Sequence, residues 1–313
     1  MFVKVFGKTS LWSYLGAITI LLLAVLWHQG LINASVPFSG NIIRTTIISV
    51  LALCSLFAVD WVVRTQSLNQ KSSYHLLVFA LLFWVLPIYQ WDIWLWIATL
   101  FFWLSFMQLL RSVGKARTLE VAFNAGFWLC FAAFFRADFS YFILIIWLML
   151  NFKGQLKYKN ILLTLLPIFC IALIWMMLYL SVPSFPSFRI EPYSSANYPF
   201  LWHNQLLDNL GYILILIYAM IFAFIHLRGL IHTSNEQKVK IYNMIVIVIS
   251  SVLIILLSGA GNLVSWISSL MAIAVLSNQF FDSFKRKWSV EFIFFIQFSV
   301  IFKDQIQSLL AIT

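Results

Sequence analysis

Apolar residues run through this chain in long, nearly unbroken stretches that short polar segments separate. Stretches such as 161–180 and 241–257 carry apolar side chains on nearly every helical face. A strand of a membrane β-barrel alternates apolar and polar residues over about ten positions, and these stretches do not. The pattern predicts helices, because a helix closes its backbone hydrogen bonds within one segment and therefore tolerates lipid.

Eleven such stretches are predicted to be helices. They lie at 11–28, 44–63, 74–89, 93–110, 119–135, 139–152, 160–181, 209–227, 241–258, 263–281 and 288–303. Lys303 and Asp304 interrupt the last of them before the apolar tail ends. The predicted fold class is all-α: a polytopic transmembrane helix bundle that forms one domain over residues 1–313.

The composition agrees with lipid rather than water around these helices. Apolar residues make up 63% of the chain and charged residues only 10%, against roughly 25% charged in a soluble domain. A net charge of +10 would suggest nucleic acid as the partner of a soluble protein. Here the basic residues cluster in the short connections between apolar stretches, where orientation signals lie. We therefore expect no nucleic-acid partner.

The lysines and arginines divide unevenly between alternating connections. One set of connections holds sixteen of them: Lys4, Lys8, Arg64, Lys71, Arg111, Lys115, Arg117, Lys153, Lys157, Lys159, Arg228, Lys238, Lys240, Lys285, Arg286 and Lys287. The other set holds four: Arg44, Arg136, Arg189 and Lys303. Because cytoplasmic loops are enriched in Lys and Arg, the first set is predicted to be cytoplasmic. The predicted location is the bacterial inner membrane, with the amino terminus inside.

The hairpin between Arg117 and Lys153 is too short for two ordinary membrane helices. Only 35 residues lie between them, and about three form the turn. That leaves about 16 residues per helix, or roughly 24 Å, whereas a hydrocarbon core is about 30 Å thick. The turn Arg136-Ala137-Asp138 is therefore predicted to lie below the outer membrane surface.

Charged residues at that depth are costly unless they pair or face a wet cavity, so they indicate function. We predict a recessed external pocket that binds an anion, either a lipid phosphate or a partner's carboxylate, through arginine. The connection 182–208, with four prolines and several aromatics, is predicted to be an ordered external loop above it. The predicted pocket residues are Arg44, Asp92, Arg136, Asp138, Arg189, Glu191 and His203. The alternative is an Arg136–Asp138 ion pair that only closes the turn.

The remaining polar residues predict little chemistry. Asp60 stands four residues before Arg64, and Asp282 shortly before Lys285 and Arg286, spacings typical of surface ion pairs. The three cysteines, Cys54, Cys130 and Cys170, are interpreted as small buried hydrophobic residues. The five histidines lack His-x-x-x-His spacing, so no metal and no cofactor is expected. With neither a Walker loop nor a Gly-x-Ser-x-Gly elbow in the sequence, no catalytic residue is assigned.

Three function classes remain open. A non-catalytic subunit that assists or scaffolds an envelope, export or assembly complex fits best, with membrane lipids and other membrane subunits as partners. The short external hairpins and external arginines resemble, in architecture, the multi-span glycosyltransferases that use polyprenyl-phosphate sugars. That resemblance implies an external active site and a polyprenyl-phosphate lipid. The family has an acidic residue in its first external loop, and 29–41 holds none, so Asp92 or Asp138 would have to substitute.

A transporter is the third class. Transporters typically contain broken helices in matching halves of the chain, and the sequence shows no such pair. Its 11 glycines in 313 residues are also fewer than the roughly 7% of an average protein. The eleven short stretches, the richness in Phe, Ile and Leu and the Arg136-Ala137-Asp138 turn resemble an uncharacterised inner-membrane family of the Bacteroidota. That resemblance spans nearly the whole chain and implies the location but no activity.

Overall fold

Every secondary-structure element that the computed structural model describes is helical. The structure describes residues 2–28, 42–65, 72–84, 93–111, 118–181, 210–229, 235–258, 263–284 and 286–301. Over these ranges the helices are α1 (Phe2–Phe6), α2 (Leu11–His28), α3 (Ile42–Thr65), α4 (Tyr74–Phe83), α5 (Ile93–Arg111), α6 (Thr118–Phe135), α7 (Phe142–Phe152), α8 (Tyr158–Ser181), α9 (Leu210–Gly229), α10 (Asn235–Ser258), α11 (Leu263–Ser283) and α12 (Lys287–Ile301). A 3-10 helix, Ala137–Tyr141, precedes α7.

The helices coincide with the predicted apolar stretches. α2 has the predicted bounds, and most other ends differ by a few residues. α10 begins at Asn235, six residues before the predicted start, because Glu236, Gln237 and Lys238 are polar but good helix formers. α1 was not predicted, since five residues are too few to show a helical pattern. The all-α class is thus confirmed for the described residues.

Three of the described helices are long and apolar enough to cross a membrane. They are Ile42–Thr65, Ile93–Leu110 and Thr118–Phe135. Shorter apolar helices, of 10–17 residues each, are Leu11–Leu26, Tyr74–Phe83, Phe139–Phe152, Tyr158–Ile174 and Ile215–Arg228. Large apolar side chains face outward on several helices, among them Ile43 at 77% exposed and Met220 at 71%. The fold is compatible with a membrane protein.

Two helices form the centre of the bundle. Each residue of α4 from Tyr74 to Phe83 is buried, and so is each residue of α11 from Ile267 to Asn278. A helix that is apolar all round lies inside a bundle rather than at its surface. α4 and α11 pack against each other, with α2 and α3 on the side of α4 and α9 and α10 on the side of α11.

Stacked aromatic rings join α5 to α6. The Phe101 ring on α5 lies 5.7 Å from Trp128, 5.6 Å from Phe131 and 5.7 Å from Phe135, all on α6. Trp94 stacks on Phe135 with ring centroids 5.6 Å apart. We call these five residues the aromatic ladder. Ring pairs at such distances contribute beyond the area they bury, so the ladder fixes the contact of α5 with α6.

α8 packs against α6 through a glycine and then extends away from the bundle. A Cβ at Gly126 would lie only 2.4 Å from the Thr164 carbonyl oxygen and 2.7 Å from its Cα, so only glycine allows this backbone approach. The Trp147 indole N–H donates to the Thr164 hydroxyl at 2.8 Å and ties α7 to the same point. Beyond it, Phe169 and Met177 are mostly exposed.

The hairpin of α6 and α7 is short, as predicted. α6 has 18 residues, or about 27 Å. The return limb joins the five-residue 3-10 helix to the 11 residues of α7, or about 26 Å. Arg136 lies between the limbs in extended conformation, with φ −145° and ψ 108°. The predicted single helix 139–152 is therefore a 3-10 helix followed by α7. With 18 residues, α6 is near the lower limit of the length that crosses a membrane, so the recessed position of the turn stays a prediction.

Candidate functional site

A cluster of polar side chains joins four helices at one end of the bundle. Tyr14 comes from α2, Asp60 and Arg64 from α3, His75 from α4 and Asn278 from α11. Hydrogen bonds connect all five side chains. We call these five residues the polar network. It lies where the first turns of α2 and α4 meet the last turns of α3 and α11.

Asp60 is the hub of the polar network. Its carboxylate accepts hydrogen bonds from the Tyr14 hydroxyl at 2.9 Å, from Arg64 Nε at 2.8 and 2.9 Å, and from His75 Nε2 at 2.9 Å. Only 8% of the residue is exposed. A buried carboxylate is tolerated when charged and hydrogen-bonding partners satisfy its oxygens, and three side chains do so here.

The contact with Asn278 fixes which nitrogen of His75 carries the proton. The Asn278 carbonyl oxygen accepts from the His75 backbone N–H at 2.7 Å, so the orientation of the amide is set. Its NH₂ group therefore faces His75 Nδ1, at 2.7 Å, and donates to it. Since Nδ1 is an acceptor, Nε2 carries the hydrogen and donates to Asp60. His75 is neutral in this arrangement.

The same contact explains how α4 begins. The first N–H groups of a helix have no partner within the helix, and Ser73, the residue before α4, makes no side-chain capping bond. Asn278 of α11 satisfies the His75 N–H instead, and the Ser73 N–H donates to the Phe6 carbonyl at 2.8 Å. The start of α4 is thus capped by two other helices.

Arg64 forms the exposed edge of the polar network. Its side chain is 43% exposed, whereas that of His75 is 1%. The Arg64 guanidinium also donates to the Tyr14 hydroxyl and lies 5.6 Å from the centre of the Tyr14 ring, within cation–π range. Beside the network, the Ser72 hydroxyl donates to Asp282 at 3.0 Å, and Asn278 donates to the Ser72 carbonyl at 3.2 Å.

The arrangement combines an ion pair with a neutral imidazole that donates to the same carboxylate. Asp60 and Arg64 form an ion pair, and the neutral His75 ring has its proton on the side of Asp60. Among the described residues no three His, Cys, Asp or Glu side chains are grouped closely enough for a metal ion. The chemistry that these groups offer is proton exchange between a carboxylate and an imidazole.

Most residues of the predicted external pocket lie elsewhere or are not described. Arg44 is exposed in the first turn of α3, and Arg136 is partly buried between α6 and the 3-10 helix. Asp138 belongs to that 3-10 helix. Asp92, Arg189, Glu191 and His203 lie outside the described residues. The external pocket therefore stays a prediction.

Some predictions for single residues need correction. The Asp60–Arg64 pair is confirmed at 2.8 Å, but its placement on the helix surface was wrong, because Asp60 is buried and binds two further helices. The cysteines are not all buried: Cys130 is, whereas Cys54 and Cys170 are exposed.

Sequence reasoning missed Tyr14, His75 and Asn278. Their positions in the sequence nevertheless indicated that they could meet. Each is a polar residue near a helix end, and the alternation of basic connections assigns all of these ends to one face. Polar side chains at helix ends that share a face are candidates for mutual contact, even when 203 positions separate them, as with His75 and Asn278.

A second polar contact lies at the end of α5. Lys153, directly after α7, donates from Nζ to the Leu109 carbonyl, one of the last carbonyls of α5 that lack a partner within the helix. A cation is favourable at this negative helix end. Burial lowers the pKa of Lys153 to about 8, and the nearby charge of Lys240 adds to the effect.

Comparison with known proteins adds no identification. No family model, no curated protein and no solved structure matches the chain. The likeness to a Bacteroidota inner-membrane family therefore stays a resemblance.

Proposed function

We propose that this chain is a multi-pass protein of the bacterial inner membrane with its amino terminus in the cytoplasm. Two observations support this. Apolar side chains face outward on α2, α3, α8, α9 and α12, as lipid contact requires. The helix ends that meet in the polar network are those that the positive-inside rule assigns to the cytoplasm. A carbonate wash of membranes tests integration: the protein should stay in the pellet, and release into the supernatant would contradict it.

Within the membrane we propose a non-catalytic role, as a subunit that assists or scaffolds an envelope or protein-export and assembly complex. The observation that carries this is the closure of the polar network. Asp60 and His75 are hydrogen-bonded to each other and to Tyr14, Arg64 and Asn278. Groups satisfied in this way hold helices together, and none is directed at a substrate.

Gentle detergent extraction tests the subunit role. The tagged protein should elute with partner membrane proteins in constant proportion, which mass spectrometry quantifies. Elution of this chain alone, in detergents of decreasing strength and after cross-linking in cells, would contradict it. Partners that persist after Asp60→Ala has loosened the network would indicate that they bind another surface.

The second candidate function is anion binding in the predicted external pocket, as in a polyprenyl-phosphate glycosyltransferase. Its support is the short hairpin of α6 and α7, whose limbs of about 26–27 Å are compatible with an Arg136 that lies at or just below the outer surface. Arg136→Ala should reduce co-purified anionic lipid or partner, as measured by mass spectrometry. Arg228→Ala, an exposed arginine at the other end of the bundle, is the matched control and should have no effect.

The glycosyltransferase candidate also requires an acidic residue that is essential for activity. Asp138→Asn or Asp92→Asn should abolish sugar transfer from a polyprenyl-phosphate donor while the protein still folds. If no transfer occurs with the unaltered chain, this candidate fails and the subunit role stands.

A further inference from the structure

His75 is a group whose hydrogen-bonding pattern reverses when it takes up a proton. In the structure its Nδ1 accepts a hydrogen bond from the Asn278 amide, and its Nε2 donates to Asp60. A second proton would convert Nδ1 from an acceptor to a donor. Two donors would then face each other across 2.7 Å.

Asn278 cannot resolve this conflict by turning its amide over. Its carbonyl oxygen accepts from the His75 backbone N–H at 2.7 Å, and its NH₂ group donates to the Ser72 carbonyl at 3.2 Å. A half-turn of the amide would set donor against donor at the first contact and acceptor against acceptor at the second. One new bond to Nδ1 would thus replace two existing ones, so the contact between Asn278 and α4 opens instead.

Charged and titratable groups reach this end of α4 from each helix packed on it. α2 contributes Tyr14, and α3 contributes Asp60 and Arg64. α11 contributes Asp282, which binds Ser72, and α12 contributes Glu291, whose charge acts on Tyr74 together with that of Asp282. Asp60 lies nearest, at 2.9 Å, and is the counter-ion of a charged imidazole.

We propose that His75 is a proton-binding site that switches α4 between two partners. Neutral His75 holds α4 to α11 through Asn278. Protonated His75 forms an ion pair with Asp60 of α3 and releases Asn278, so the last turns of α11 lose their hydrogen bonds to α4. Histidine is the side chain whose ordinary charge change falls closest to neutral pH, so it is suited to a switch of this kind.

Nitrogen NMR of the full-length protein in detergent, labelled with ¹⁵N-histidine, tests the proton site directly. His75→Gln identifies the His75 ring signals by their loss. At about pH 7.5 these signals should show a neutral ring with hydrogen on Nε2, and at about pH 5.5 a ring with hydrogen on both nitrogens. A ring that carries hydrogen on Nδ1 at the higher pH, or that stays neutral at the lower pH, overturns the proposal.

Hydrogen exchange tests the switch itself. Amides of the last turns of α11 should exchange about tenfold faster at the lower pH, after correction for intrinsic rates, because a hydrogen bond is lost. His75→Gln should remove this pH dependence. Asn278→Asp, whose carboxylate accepts from a protonated Nδ1, should keep the ring charged at both pH values. If the exchange of α11 depends on pH equally in His75→Gln, the switch is not His75.

The Asn278→Asp variant also allows the test to be completed if His75→Gln does not fold. If His75→Gln is not recovered, Asn278→Asp identifies the same ring, since His75 faces residue 278 and its signals change with that substitution. The wild-type titration then decides between the two outcomes.

Discussion

The polar network and the aromatic ladder hold neighbouring parts of the bundle by different means. The polar network joins helices far apart in sequence through directional bonds between few groups, with one buried carboxylate at its centre. The aromatic ladder joins consecutive helices through ring stacking, and the Gly126 contact extends that region to α8. Directional bonds fix one arrangement, whereas stacked rings tolerate small shifts. The network should therefore be the more sensitive to a single substitution.

The largest effect is expected for Asp60→Ala. It leaves the Arg64 charge and the His75 and Tyr14 donors without their acceptor. Leaving the buried His75 donor unsatisfied costs about 1–3 kcal/mol, and losing the partly exposed ion pair adds up to about 1 kcal/mol. The free energy of unfolding in detergent should therefore fall by about 2–4 kcal/mol. Asp282→Ala is the control: Asp282 is exposed and binds Ser72 at the edge of the network. Equal losses from the two substitutions would show that Asp60 is not the hub.

The pH dependence of stability tests the contact of Lys153 with the end of α5, the helix that carries part of the aromatic ladder. Its pKa is lowered from 10.5 to about 8 in the fold, so the unfolded chain holds this proton more tightly. Below about pH 8 both states are protonated and the cost of burying the charge is constant. As pH rises from about 8 to 10.5 the folded state loses its proton first, so the free energy of unfolding should rise, by up to about 3 kcal/mol.

The Lys153→Met variant supplies the comparison. The difference in unfolding free energy between wild type and variant should change with pH over this window, because other titrating groups are common to both. A difference that is independent of pH would place the Lys153 amine in water rather than at the end of α5.

Gly126→Ala should loosen the contact of α6 with α8. The added Cβ meets backbone atoms of Thr164, which cannot rotate away, and overpacking of this kind costs about 1–3 kcal/mol. At Gly16 the Cβ would meet the ring of Phe6 at 3.2 Å, a side-chain tip that can yield. Gly16→Ala should therefore be nearly neutral in the same unfolding assay, and a larger loss there would contradict the packing described.

The smallest effect is expected for Phe101→Leu in the ladder. The substitution keeps an apolar side chain and removes three ring contacts, for a loss of about 1 kcal/mol. Phe123→Leu is the control, because Phe123 meets the ring of Phe127 at 6.2 Å, a longer ring contact than those of Phe101. If Phe101→Leu destabilised the protein as much as Asp60→Ala, the two regions would not differ as proposed.

Much of the helical architecture could be predicted from the sequence. Apolar stretches between basic connections gave the helices, and the short hairpin at Arg136 followed from counting residues. The split of 139–152 into a 3-10 helix and α7 was not predictable, because its apolar residues suit either form. The start of α10 was predicted too late because polar residues such as Gln237 form helix without giving an apolar pattern.

The polar network was only partly predictable. The spacing of Asp60 and Arg64 indicated their ion pair, since four residues bring side chains together on a helix. Nothing local indicated that His75 and Asn278 would complete it, because contacts across 203 positions depend on how α4 and α11 pack. The packing of those two helices follows from their apolar surfaces, and the polar residues then meet within it.

Labelling of the two ends of α3 tests the central claim most directly. In a chain whose three cysteines are replaced by serine, single cysteines are placed at the exposed positions Ile42 and Thr65. We predict that a membrane-impermeant maleimide labels Ile42→Cys in spheroplasts and labels Thr65→Cys, beside the polar network, only after permeabilisation. Labelling of Thr65→Cys from outside, or of both positions from the same side, would contradict the account.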